Sequence, residues 1–289
     1  MSDPSVVLVT GASTGIGAAT ARRLDRLGHL VFAGVRRAED GERLRGEASE
    51  RLRPLLLDVT RQDQIDAAAR AIEAVSGSRG LAGLVNNAGV AVGGPIEFVP
   101  LDQIRHQFEV NVFGLLAVTQ ACLPLLRRAS GRIVNIGSIA GRAVAPFGVP
   151  YGMSKYAVEA LTDGLRLELA EAGIRVAVIE PGAVRTPIWE KGLAALGQVE
   201  KTFPPVALER YGSRLAFLGK LLAANNDRGV PPEEVADAVV HALESDHPKT
   251  RYLVGNDARI RALIARFLPD RVGDAIVHGA LRRMERNLS

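Results

Sequence analysis

The sequence predicts an α/β fold, a doubly wound parallel sheet of seven strands with helices on both faces and a C-terminal helical extension. Short β-branched runs alternate with longer segments of helical periodicity, and a glycine-rich turn joins the first run to the first helix. A length of 289 residues, 47% hydrophobic and 24% charged, supplies the core of one large domain and excludes intrinsic disorder.

The first strand is expected at Val6–Val9, followed by Leu30–Gly34, Pro54–Leu57, Leu84–Asn86, Arg132–Ile136, Arg175–Ile179 and Arg251–Val254. Several are apolar throughout, as strands covered on both faces must be. Helical patterns fall around 15–27, 62–75, 101–128, 151–172 and 232–244, and strand–helix–strand repetition implies right-handed crossovers in a parallel sheet. The alternation lapses over 187–232, expected to be a substrate lid, and again after Gly255. Residues 1–289 therefore read as a single domain with a lid and a basic helical extension at 256–289.

The lone cysteine, Cys122, forms no internal disulfide and reads as a small buried hydrophobe; with five scattered histidines it makes no structural zinc site, so no metal is expected. Asp3 sits where a signal peptide would be basic, and the apolar run Leu115–Leu126 falls short of the ~20 residues of a bilayer span, so a cytoplasmic protein is expected. The net charge of +4 is accounted for by seven arginines against three acidic residues from Arg259 onward. Those arginines interleave with Ile260, Leu263, Ile264, Phe267, Leu268, Val272, Ile276, Val277 and Leu281 at helical spacing. Two readings follow: a helix pair docked by its apolar face with a solvated basic side, or a basic amphipathic surface for peripheral contact with an anionic membrane. No aromatic stacking platform or groove-reading motif accompanies the charge, so no nucleic-acid partner is expected.

The glycine-rich turn is Thr10-Gly11-Ala12-Ser13-Thr14-Gly15-Ile16-Gly17. Glycines there permit a tight turn and close approach of a pyrophosphate, while the helix N-terminus offers unpaired N–H groups and a positive dipole end. A site for NAD(H) would carry an acid at the end of the second strand for the ribose 2′-hydroxyl. This strand ends Gly34-Val35-Arg36-Arg37, with no carboxylate before Glu39. Arg36 with a neighbour would clasp a 2′-phosphate, so NADP(H) is expected over NAD(H); the plain alternative is a pair of solvated loop charges. Further along, Tyr151 and Lys155 stand one helical turn apart. Bringing a phenol from a pKa of ~10 to near 7 takes about 4 kcal/mol, which Lys155 and an oxidised nicotinamide are expected to supply.

The glycine loop, Asn86-Asn87-Ala88-Gly89, Asn111, Ser138 and Tyr151-x-x-Ser154-Lys155, in that order, make residues Val6 to Thr186 resemble the short-chain dehydrogenase/reductase family, whose sheet is Rossmann-type. The resemblance implies a hydride transfer with a catalytic set of Asn111, Ser138, Tyr151 and Lys155. Tyr151 would exchange a proton with the substrate oxygen and Ser138 would hydrogen-bond it. Lys155 would bind the nicotinamide ribose and lower the Tyr151 pKa, and Asn111 would hold a relay water. Cofactor contacts are implied at Gly11, Ser13, Thr14, Gly15, Ile16 and Gly17, at Arg36 and Arg37, and at Asp58 (as the adenine-contacting acid) and Val59. They continue at Asn87, Ala88 and Gly89, at Tyr151 and Lys155, and at Pro181, Gly182, Val184 and Thr186, the last bonding the carboxamide. Asn87 and Asp58 equally admit a structural role in capping strand ends and turns.

The stretch Pro248 to Ala258, the tail with Leu268-Pro269, and Gly34-Val35-Arg36 look like the hydroxysteroid and retinol dehydrogenase-like branch. That likeness implies a small apolar alcohol or carbonyl substrate, lined by Ser138, Ala140, Val144, Phe147 and Tyr151. Arg142 and Arg185 leave a carboxylate or coenzyme A-linked substrate open. The competing readings are a 3-oxoacyl thioester reductase and a catalytically silent NADP-sensing binding protein. A homo-oligomer, dimer or tetramer, is expected.

Overall fold

Strand residues with no polar alternation must be covered on both sides, and the computed structural model, which describes residues 4–189, 192, 194, 197 and 203–286, arranges them accordingly. The strands are β1 (Val6–Val9), β2 (Leu30–Val35), β3 (Leu52–Leu56), β4 (Gly83–Asn86), β5 (Arg132–Ile136), β6 (Arg175–Pro181) and β7 (Arg251–Val254). They form one sheet in the order β3-β2-β1-β4-β5-β6-β7, every pair parallel. The helices are α1 (Gly15–Arg26), α2 (Ala38–Gly46), α3 (Gln62–Ser76), α4 (Leu101–Phe108), α5 (Leu115–Ala129), α6 (Val149–Glu168), α7 (Pro205–Arg228), α8 (Pro232–Glu244), α9 (Asn256–Phe267) and α10 (Asp270–Arg286).

Successive strand residues point to opposite faces, and two cores result. Val7, Val9, Val31 and Val134 pack against Leu24 of α1 and Val235 and Val239 of α8. Val6, Leu8, Leu84 and Ile133 pack against Ile72 of α3, Cys122 and Leu126 of α5, and Leu165 of α6. The chain winds outward from β1 to β3 and then restarts at β4 on the other side of β1, so a crevice opens beyond the carboxyl ends of these strands, where an open sheet of this type binds ligands.

The expected helix over 101–128 is interrupted by a π turn, Glu109–Gly114, between α4 and α5. Gly114 is pressed onto the exit of β3; a Cβ there would lie 2.8 Å from the Val59 carbonyl oxygen. The resulting helical run, Leu101–Ala129, is long and apolar enough to cross a membrane by length and composition, but its α5 face belongs to the core. Within the expected lid, Pro205–Arg228 is helical (α7), while residues 190, 191, 193, 195, 196 and 198–202 of that lid lie outside the described residues. The two ends of this excursion are stitched together. Arg185 N donates to the Val230 carbonyl (2.9 Å), and Val230 N donates to the Ala183 carbonyl (3.0 Å).

The tail corrects one expectation. Only Ala258 and Ala262 of α9 are buried, whereas Ile260, Leu263 and Phe267 are 58%, 58% and 68% exposed, and Val272, Ile276 and Val277 of α10 are exposed as well. The helix pair is therefore not docked by its broad apolar face; small alanines pack closely on one side and leave the large side chains outward.

Candidate active site

The loop after β1 is tied to the loop after β4 by a lattice around Thr10. Its Oγ1 accepts from Asn87 N and Ala88 N, both at 3.0 Å, while Asn87 Nδ2 donates to the Thr10 and Gly11 carbonyls, again at 3.0 Å. Asn87 is thus a brace of the glycine loop, the structural alternative of its two sequence readings. Gly11 takes a φ of +63°, and a Cβ on it would lie 2.8 Å from Ala88 Cα; a Cβ on Gly17 would collide with the Gly11 carbonyl and Asn87 Nδ2. The Thr14 backbone is extended and its side chain makes no cap, so the first-turn N–H groups of α1 keep their capacity for an anion. A cradle closed to any side chain and ending on a helix N-terminus fits the pyrophosphate of a dinucleotide. Ile16 contributes only its backbone, because its side chain packs into the core.

Beyond β2, Arg36 is exposed and close enough to Asp58 for its charge to favour that carboxylate. Burial opposes ionisation of Asp58, but hydrogen bonds from Thr60 N (3.0 Å) and Thr60 Oγ1 (2.8 Å), with the charges of Arg36 and His106, hold it below the ordinary carboxylate range. Asp58 therefore caps the turn after β3, and the Val59 side chain lies in the core rather than in the crevice. Arg37 is bound back along α2 to Asp40, Nε to Oδ2 at 3.0 Å. The second guanidinium at the glycine loop is instead Arg43, which pairs with Asp40 (3.3 Å) and donates to the Ser13 carbonyl (2.8 Å). Sequence reasoning missed Arg43, whose one signal is its i+3 spacing from Asp40.

At the end of β5, Ser138 has extended backbone and its Oγ accepts from Ala140 N (3.1 Å). Tyr151, at the start of α6, hydrogen-bonds Ser138. One turn later Lys155 is 6% exposed; its Nζ donates to the Ile136 carbonyl (2.8 Å) and lies 5.7 Å from the Tyr151 ring centroid. The π turn carries Asn111, whose Oδ1 accepts from Val90 N (2.8 Å) and whose Nδ2 donates to the Val90 carbonyl (2.9 Å) and to Ser154 Oγ (3.0 Å). Ser154 Oγ in turn donates to the Tyr151 carbonyl (2.8 Å). The four residues expected to act together share one cleft, with the Asn111 amide fixing Val90 against α6. The expected fall in the Tyr151 pKa calls on an oxidised nicotinamide as well as Lys155, and in the protein alone the direction is the opposite. Burial pushes the phenol above its ordinary value despite the Ser138 hydrogen bond, and the same burial pushes Lys155 down to about 8.

Of the substrate-side residues, Ala140 follows Ser138, and Val144 is exposed beside Gly152, where an added Cβ would lie 2.8 Å from it. Phe147 takes a φ of +63°, unusual for a side chain of its size, and its carbonyl accepts from Gly94 N at 2.8 Å. Its ring meets Tyr211 of α7 edge-on (6.1 Å), and Tyr211 meets Phe98 (6.1 Å), which meets Phe203 (5.8 Å). Tyr211 OH also donates to Glu97 (3.1 Å). This aromatic wall, absent from the sequence reading, links the lid to the cleft. Pro181 and Gly182 end β6; Val184 is buried and its carbonyl accepts from Trp189 Nε1 (2.6 Å). Thr186 closes over Gly15, within 3.0 Å of where a Cβ would stand, and Gly89 lies beside Asn111. Cys122 is buried and its thiol is pushed up to about 12 by desolvation, as suits a small hydrophobe.

A model of the short chain dehydrogenase family matches residues 5–195. The chain is 39% identical over 280 residues to bovine (Bos taurus) 17-beta-hydroxysteroid dehydrogenase type 6, covering 94% of this chain and 87% of that one. It is 37% identical over 296 residues to mouse (Mus musculus) retinol dehydrogenase 16 (98% and 90%) and 36% identical over 282 residues to the NADPH-dependent 3-dehydrocapnine reductase of Ornithobacterium rhinotracheale (96% and 97%). Among solved structures it is similar to a short-chain dehydrogenase from Streptomyces avermitilis, with a TM-score of 0.76 at 27% identity and full coverage of both chains. A short chain dehydrogenase from Burkholderia cenocepacia in complex with NADP gives a TM-score of 0.71 at 26% identity, covering 96% of this chain and 98% of that one. The chain belongs to the short-chain dehydrogenase family, in its hydroxysteroid and retinol dehydrogenase branch, and is an oxidoreductase with a nicotinamide-cofactor fold.

Because Lys155 is held at about 8 against an ordinary value of 10.5, its burial costs stability in full below pH 8, and the cost fades as pH approaches 10.5. Lys155→Met is expected to raise the Tm of the cofactor-free protein by roughly 5 °C at neutral pH. By pH 10 the gain should have largely gone, while turnover is lost throughout; thermal unfolding followed by circular dichroism at both pH values checks this.

Proposed function

We propose that this chain transfers a hydride reversibly between NADP(H) and a hydrophobic secondary alcohol or ketone, or a retinoid-like alcohol or aldehyde, with Tyr151 as the acid and base. The observation that carries the reading is a partly buried phenol, raised in pKa by desolvation and hydrogen-bonded to Ser138, one helical turn from a buried ammonium. In reduction, Ser138 Oγ and Tyr151 Oη hydrogen-bond the carbonyl oxygen, and Tyr151, kept protonated by burial, gives its proton to that oxygen. Lys155 then faces a phenolate at short range and offsets its charge. The cofactor, when bound, supplies the hydride; the glycine loop and the N-terminus of α1 would hold its pyrophosphate, and Lys155 its nicotinamide ribose. In oxidation the proton moves the other way, from the substrate hydroxyl to the Tyr151 phenolate.

Apolar substrates are supported by the aromatic wall of Phe98, Phe147 and Tyr211, and by the names of the hydroxysteroid and retinol dehydrogenase relatives. NADP(H) is supported by the exposed Arg36 at the end of β2 and by Arg43 bonded to the glycine loop, by the NADPH dependence stated for the Ornithobacterium relative, and by the NADP complex of the Burkholderia structure. A catalytically silent sensor would need the phosphate loop alone, and the complete set of Asn111, Ser138, Tyr151 and Lys155 speaks against it.

The outward faces of α9 and α10 suit an anionic lipid surface. Ile260, Leu263, Phe267, Val272 and Ile276 are exposed beside Arg259, Arg266 and Arg271. Two such faces would repel one another through their arginines, whereas anionic headgroups attract them.

Tyr151→Phe is expected to lower kcat for reduction of a bulky apolar ketone at least 100-fold with the Kd for NADPH unchanged; turnover near the wild-type rate would overturn the acid assignment. Calorimetric titration should give tighter binding of NADPH than NADH, and Arg36→Ala should remove about tenfold of that difference. In sedimentation with vesicles, the protein should bind phosphatidylserine-containing bilayers and not neutral ones, and Phe267→Asp should abolish the binding.

A further inference from the structure

The C-terminal helix α9 does more than extend the fold. Gly255, at a φ of +94°, turns the chain back across the carboxyl ends of the strands. Asp257 Oδ2 then accepts from Ala183 N at 2.8 Å, and the carboxylate fills the space above Gly182, where any Cβ would collide with it. One turn on, the mostly buried Arg261 reaches the other side of the cleft and donates from Nη2 to the Ala143 carbonyl. Between them Ala258 and Ala262, 0% and 5% exposed, pack on Ile139, the residue after Ser138. Residues 257, 258, 261 and 262 occupy one helix face, which packs against Leu253 of β7 and touches two loop segments, Gly182–Ala183 and Ile139–Ala143. The second segment is held from beneath too: Arg142 pairs with the fully buried Glu180 at 3.2 Å, and Tyr156 OH donates to the Arg142 carbonyl at 2.7 Å. Partial burial of the Arg261 guanidinium is opposed by lost hydration and eased by the charge of Asp257 one turn earlier, so the two residues support each other on this face. Plain packing would be served by an apolar side chain there.

We infer that α9 is a brace that sets the spacing between the Ser138 loop and the cofactor-side segment 181–183, with Arg261 and Asp257 as its two positioning residues. Arg261 fixes the turn that aims Ser138 Oγ at the substrate oxygen; Asp257 fixes the backbone beside the nicotinamide end of the crevice. The inference rests on the oxidoreductase reading of Ser138 and Tyr151 given above.

A double-mutant cycle tests it, with the full-length enzyme, NADPH and an apolar ketone that the wild type reduces. Arg261→Ala should lower kcat about tenfold while the Kd for NADPH stays within twofold, and Arg261→Lys, which still offers a donor, should recover most of the loss. In a Ser138→Ala background the same Arg261→Ala change should cost less than twofold, because the group it positions is gone. Asp257→Ala should raise the KM for NADPH more than the KM for the ketone. An equal loss from Arg261→Ala in both backgrounds, or none in either, overturns the brace while leaving the site intact. Wild-type turnover in Ser138→Ala overturns the site reading itself and the brace with it. Should Arg261→Ala unfold, the cycle is run with Arg261→Gln, judged by the same two ratios.

Discussion

Burying the Lys155 ammonium is the most demanding arrangement in the cleft, and the elements around it are placed to make it tolerable. With one carbonyl partner, Ile136 O at 2.8 Å, the charge is stripped of water to the point that its pKa falls to about 8. The carbonyl comes from the last residue of β5, so the strand register decides where the ammonium sits, and α6 must cross β5 closely enough to deliver it. That crossing also places Tyr151 one turn earlier on the same helix face and raises its pKa by the same desolvation. One environment therefore opposes both charges at once. The stable free form is a neutral phenol beside a weakened ammonium, poised to give a proton away and to balance the anion that remains.

The rest of the crevice is held by polar contacts between loops that are distant in sequence. Thr10 and Asn87 join the β1 and β4 loops, Asn111 joins the β4 loop to α6 through Ser154, and Asp257 and Arg261 join the β6 and β5 loops. Each loop thus borrows its conformation from a neighbour. Glycine is required where two of these backbones touch, at Gly11 against Ala88 and at Gly17 against Gly11, and a side chain at either point would part the loops. The opposite wall is built differently. There the contact is aromatic, Phe147 on Tyr211, carried by a helix held through Glu97, which takes Tyr211 OH and Arg210, and by the bridge between Val184 and Val230.

The sheet was legible in the sequence because a strand buried on both faces must be written as an apolar run, and the ends of β1, β5 and β7 fall where those runs begin and end. α2 was not legible. It buries only Gly41 and Leu44 and so carries almost no apolar periodicity. The π turn was hidden because nothing local demands it; it follows from Gly114 meeting Val59 some fifty residues away in the chain. Of the candidate site, residue types and order located the Ser138, Tyr151 and Lys155 cleft, but not the partners of the polar side chains. Asn87 turned inward, Arg37 was tied to Asp40, and Arg43, Tyr211 and Arg261 entered the site from elements that sequence spacing does not connect to it. The tail's amphipathic pattern was plain, yet periodicity does not say which face is covered, and the small alanines rather than the large apolar residues are buried.

The central claim is that desolvation keeps Tyr151 a neutral phenol in the free enzyme. Protein labelled with 13C at tyrosine Cζ carries four reporters, and the Tyr151 signal is identified by its loss in Tyr151→Phe. Titrated by NMR without cofactor, that resonance should keep its protonated shift through pH 10 and move only above it. A Tyr151 signal that instead titrates between pH 7 and 9 in the free protein would contradict the account, since the ammonium at Lys155 would then dominate the burial that the structure imposes on both.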